Sequence, residues 1–188
     1  MIDSNRGRVL LDLARGAISE ALGEASSPVS QEQWLNEKGA TFVTLTQNGE
    51  LRGCIGTLQA HRPLGEDVRQ NALAAAFRDP RFKPLGRDEL PVTRCEVSLL
   101  SAAETMKFSD EHDVLAQLRP GIDGVIFEYG SYRSTFLPQV WEQLPEPRDF
   151  MAHLKRKAGL PDNFWAPEIK LSRYTVSKWR ETDFTEAC

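Results

Sequence analysis

Two residue types able to do chemistry stand two positions apart in the segment LRGCIG: the cation Arg52 and the thiol Cys54, bracketed by Gly53 and Gly56. Residues two apart on a β-strand share a face, and a neighbouring cation favours the thiolate, the nucleophilic form of cysteine. Cys54 is therefore the candidate nucleophile. Glycines inside a strand mark a bulge or the close approach of other backbone or a ligand, so Gly53 and Gly56 are candidate ligand positions that would let a substrate reach the sulfur. The competing reading of Cys54 is a small buried hydrophobe on a packed strand. Arg52 is either an anion-binding side chain or the partner of a carboxylate. Glu96, the charged residue in the apolar alternation RCEVSLLS, is the candidate carboxylate, in a structural or a catalytic pair. Arg81 and Gln139 are further candidate ligand contacts, each with a bland alternative as a structural side chain. None of the three histidines is near Cys54 in sequence, so a general base would have to come from His61, His112 or His153 through the fold. Cys95 alternates with Glu96 and is expected to point into the core.

The elements that must position these groups are readable from periodicity. TFVTLTQNGELRGCIGTL reads as a hairpin turning at Asn48 and Gly49, the pair preferred in type I′ turns. A two-residue turn sets Leu45 opposite Arg52, Val43 opposite Cys54 and Phe42 opposite Ile55, and it leaves apolar residues on both faces, so both are expected to be covered. Residues 8–22 repeat apolar positions at helical spacing, ended by Gly23. Ser30 and Gln33 resemble a capping box for a short helix ended by Gly39. Residues 63–78 form a helix with Glu66 and Asp67 in its first turn, stopped before Pro80. Residues 94–101 form a strand and residues 110–118 a helix. GVIFEYGSYRSTFL reads as a second hairpin with Gly130 near its tip. RDFMAHLKRKAGL is a helix with Gly159 at its C-terminus, and IKLSRYTVSKW is one last strand. Without a regular βαβ repeat, this mixture predicts an α+β fold with a mainly antiparallel sheet.

With 188 residues, 40% hydrophobic and 27% charged, the chain has the composition of a globular protein in one domain, residues 1–188. A formal net charge of -4 argues against nucleic acid or an anionic membrane as the main partner. Arg78, Arg81, Lys83 and Arg87 form a basic run that reads as a solvated helix end. The three cysteines form no CxxC and fit a reducing cytosol. The absence of HxxxH spacing, a phosphate-cradling glycine loop and a dinucleotide fingerprint points to no metal and no cofactor.

NGELRGCIGTL, RPL, AAAFRDPRFKPL, ELP with CEVSLL, FLPQV and KAGLP occur in that order and resemble the AMMECR-domain family, known in prokaryotes as AmmeMemoRadiSam system protein A, with LRGCIG as its hallmark. The resemblance implies an α+β domain with a larger lobe carrying both termini and a smaller lobe, and a cleft near the hallmark. It also implies partners: a Memo-type protein and a radical S-adenosylmethionine protein. Many relatives have a cysteine where this chain has Lys155, so a mechanism pairing Cys54 with a second thiol there cannot operate here. Two function classes follow. One is a component that binds a small anionic substrate or a partner protein around LRGCIG. The other is an enzyme using Cys54 in acyl transfer, redox or modification chemistry.

Overall fold

The computed structural model describes residues 4–26, 28 and 30–184; Cys188 lies outside them. The chain divides into two compact units, one of residues 1–100 with 177–188 and one of residues 101–176.

The first unit packs helices α1 (Ser4–Ala21) and α2 (Leu64–Phe77) against a sheet of β1 (Lys38–Gln47), β2 (Glu50–Gly56), β4 (Thr93–Leu100) and β9 (Val176–Arg180), in the order β2-β1-β4-β9, with β3 (Arg62–Pro63) pairing the start of β1. Its core joins Leu10 and Ile18 of α1, Val68 and Ala72 of α2, Val43 and Leu45 of β1, and Cys95 and Val97 of β4. The alternation of β1 and β4 thus turns one face of the sheet toward the helices.

The second unit has its own core, built around Phe127, Phe150, Met151 and Leu171. Its sheet runs β5-β8-β6-β7, with β5 Glu104–Thr105, β6 Gly124–Tyr129, β7 Tyr132–Phe136 and β8 Lys170–Tyr174; its helices are α3 (Glu111–Gln117) and α4 (Pro147–Lys157). The β1/β2 and β1/β4 pairs of the first unit and the β6/β7 and β6/β8 pairs of the second are antiparallel, which is the expected α+β class.

Three local expectations are corrected. No side chain caps the turn after Ser30; Gln33–Asn36 is a 3-10 turn, and Gly39 lies inside β1, paired with Arg62, with Leu64 packed where a Cβ would stand. The last strand is two, β8 and β9, separated by Thr175 and belonging to different sheets. The turn at Asn48 and Gly49, both at positive φ, is as expected, but the hairpin register holds only to Thr46 opposite Leu51. A bulge then leaves Arg52 without a partner, setting Leu45 opposite Gly53, Thr44 opposite Cys54, Val43 opposite Ile55 and Phe42 opposite Gly56. One extra residue reverses the parity of everything beyond it.

Candidate functional site

The bulge sends Arg52 and Cys54 to opposite faces, so they are not the same-face pair that simple alternation predicts. Arg52 turns to the helix side and forms a forked ion pair with Glu89, Nε to Oε1 at 2.9 Å and Nη2 to Oε2 at 3.0 Å. Glu89 also accepts from Gln47 and from the backbone N–H of Gly86, and Gln47 in turn donates to the buried Thr93 hydroxyl. The Arg52 hydrogen bonds, with the Gly86 N–H second, outweigh desolvation and hold the Glu89 carboxyl down at about 2. Glu96 is therefore not the partner of Arg52. It lies on the other face of the sheet, where Arg180 reaches it at 2.6 Å and Lys178 at 3.2 Å.

The approach that the glycines permit is internal. A Cβ on Gly53 would lie 2.2 Å from the Ala75 carbonyl oxygen, so α2 presses its backbone onto this glycine; a Cβ on Gly56 would lie 2.2 Å from Cγ of Phe42. Outside β2, the DPRF loop closes the sheet edge. Buried Asp79 accepts the Cys54 N–H at 2.9 Å and is gripped by Arg81, whose Nη2 also reaches the Cys54 carbonyl at 3.4 Å. Arg81 chiefly, with the Cys54 and Arg81 N–H groups assisting against desolvation, holds the Asp79 carboxyl well below the usual carboxylate range. The Arg52 and Arg81 guanidiniums both approach the Phe82 ring, 5.8 and 5.5 Å from its centre. Covering an exposed strand edge in this way removes a site for unwanted pairing.

On the face away from the helices, the strand pairings set three rows across β2, β1 and β4: Leu51, Thr46 and Arg94; Cys54, Thr44 and Glu96; Gly56, Phe42 and Ser98. In the central row the Thr44 hydroxyl donates to Cys54 Sγ at 3.3 Å. Cys54 and Thr44 are half-buried, while Arg94, Lys178 and Arg180 are exposed. Among the described residues Arg94 donates to the carbonyls of Pro91 and Thr93. Three cations thus share this face with one carboxylate among the described residues, Glu96; Asp183 stands close behind, accepting the Arg180 backbone N–H. The arrangement offers a sulfur, a hydroxyl and a surplus of positive charge to one ligand.

The remaining candidates fall elsewhere. Gln139 is exposed on the 3-10 turn Pro138–Glu142 of the second unit. Cys95 is 1% exposed, and burial pushes its thiol up to about 12, as expected of a core residue. His61 bonds the Gln59 carbonyl, and His153 is exposed on α4. Lys155 is buried, its ammonium donating to Glu111 at 2.6 Å and to the Phe164 carbonyl at 3.1 Å. A depression of about 510 Å³ lined by Gln33, Trp34, Asn36 and Glu37 contains none of the candidate residues. Among the described residues no cluster of three or more His, Cys, Asp or Glu is placed to hold a metal ion, and no helix is long and apolar enough to cross a membrane. Sequence reasoning missed Thr44, Asp79, Glu89, Lys178 and Arg180. Asp79 and Glu89 carried a signal, being carboxylates in loops beside a strand with an unpaired edge; the others depend on the bulge and on the separation of β9 from β8.

The AMMECR1 family model matches residues 11–179. Protein MJ0810 of Methanocaldococcus jannaschii is 35% identical, over 97% of this chain and 94% of its own length. A protein of Methanothermobacter thermautotrophicus is 34% identical over 96% of both chains. The crystal structure of uncharacterized protein PH0010 from Pyrococcus horikoshii superposes with a TM-score of 0.77 at 34% identity, covering 94% of this chain and 92% of that one.

Proposed function

This chain belongs to the AMMECR1 family, and from that premise we propose that it is the ligand-binding component of an AmmeMemoRadiSam system, holding a small anionic molecule on the sheet face that carries Cys54. The observation supporting this is the central row. Thr44 and Cys54 meet in register, and beside them the charge of Glu96 is shared between Lys178 and Arg180. With no acidic partner for Arg94 among the described residues, that face has positive charge left over for a ligand. Arg81 binds Asp79 first and serves the site by fixing the backbone of Cys54, while Arg52 anchors β2 from the opposite face. The Memo-type and radical S-adenosylmethionine proteins supply the demanding chemistry, consistent with a site built from one thiol and one hydroxyl.

The Thr44 hydrogen bond to sulfur favours one second reading, an enzyme with Cys54 as nucleophile, because a fixed donor orients the thiol. Alkylation of the native protein with iodoacetamide, followed by peptide mapping, separates the two. A binding component alkylates at Cys54 no faster folded than unfolded. Labelling more than about tenfold faster in the folded protein, together with Cys54-dependent turnover by the chain without partners, transfers the function to the thiol.

A further inference from the structure

Phe42 stands one row along β1 from Thr44, and its ring covers Gly56 in an unusual manner. A Cβ on Gly56 would fall 2.2 Å from Cγ, 2.3 Å from Cδ1 and 2.6 Å from Cδ2 of that ring. Three ring atoms that close to one point place the ring over the Gly56 α-carbon. Phe42 is half-buried. Two strands away, the Lys178 and Arg180 side chains converge on Glu96 of β4. Neighbouring strands are about 4.8 Å apart and successive rows on one face about 6.8 Å apart, so the ring over β2 and the cations over β4 are separated by about 12 Å on a diagonal that passes beside the Thr44 hydroxyl.

We infer that the site takes a planar aromatic ring joined by a short polar linker to an anionic group, a molecule of the size of a nucleoside monophosphate. The ring stacks on Phe42 and the anion meets Lys178 and Arg180. Aromatic stacking supplies specificity, and the cations supply attraction without demanding one acid. The linker passes the Thr44 hydroxyl, which orients it. This inference rests on the anion-binding reading above and adds the chemical class of the ligand.

Calorimetric titration of the full chain with adenosine 5′-monophosphate, ribose 5-phosphate and adenosine tests it. The nucleotide is expected to bind about fivefold tighter than ribose 5-phosphate, the range an aromatic pair supplies. In Phe42→Leu, checked for folding by circular dichroism, that advantage disappears while ribose 5-phosphate binds as before. Lys178→Met with Arg180→Met weakens both phosphates. Equal binding of nucleotide and sugar phosphate overturns the ring half of the inference and leaves the anion reading standing. No binding of either phosphate at millimolar concentration overturns both. A ring advantage that survives in folded Phe42→Leu overturns the placement on Phe42. Should that variant fail to fold, nuclear Overhauser contacts between the base protons and the Phe42 ring in the wild-type protein decide the matter, and their absence with the nucleotide bound counts against the inference.

Discussion

A Cβ at Gly53 would sit 2.2 Å from a main-chain carbonyl of α2, and a helix backbone cannot move aside as a flexible side chain can. Gly53→Val is therefore expected to cost about 1–3 kcal/mol of unfolding free energy or more, by the overpacking range, whereas Cys54→Ser at a half-buried position costs less than that. Urea denaturation of the two variants checks the order, and equal midpoints would show that α2 yields. Sequence legibility is uneven at this scale. That something approaches Gly53 and Gly56 was readable from glycine in a strand; that the approaching groups are Ala75 and Phe42 was not, because both lie far away or on another strand. Arg52 and Cys54 were misassigned to one face because alternation assumes an uninterrupted ladder, and the bulge at Arg52 breaks it.

At the scale of elements, the 3-10 turn Arg87–Val92 is tied to β2 by the Arg52–Glu89 pair. Glu89 falls from an ordinary 4.5 to about 2 on folding. A depressed folded value contributes stability that is complete above about pH 4.5 and is lost as pH falls toward 2. Asp79, lower still, extends the loss further into acid. Denaturant midpoints measured between pH 6 and pH 2 are expected to fall through this window, and Glu89→Gln is expected to flatten the upper part of that decline. At pH 7 the same variant leaves the Arg52 guanidinium, 13% exposed, without its counter-charge, at a cost on the order of 3 kcal/mol that Arg52→Met in the same chain partly restores. A double variant less stable than the single one would refute the pairing. The short spans of helix and hairpin were legible because their caps and turns are local: Asn48-Gly49, Asp79-Pro80 and Gly159 each mark an end. The division of β8 from β9 was not, since Thr175 is neither glycine nor proline and the change of sheet is a tertiary event.

At the scale of the whole molecule, the described residues form two hydrophobic cores, one in each unit. Phe150, fully buried and stacked on Trp141 at 3.8 Å, centres the second. Phe150→Ala is expected to cost about 3–5 kcal/mol, read as lost amide-exchange protection in residues 101–176; unchanged protection there would contradict its place in that core. The α+β class was legible from the mixture of periodicities, and the family from ordered motifs, because both are properties of the chain as a string. The proposed binding face was not, because it is assembled from β2, β1, β4 and β9, whose order no local pattern records. The central claim is that this face holds an anion, and the most direct measurement is an amide chemical-shift map of the isotope-labelled chain titrated with inorganic phosphate. Shifts concentrated at Thr44, Cys54, Glu96, Lys178 and Arg180, and lost in Lys178→Met with Arg180→Met, are the result predicted. Shifts confined to the Arg78–Lys83 loop or to residues 101–176, or none at all, would contradict it.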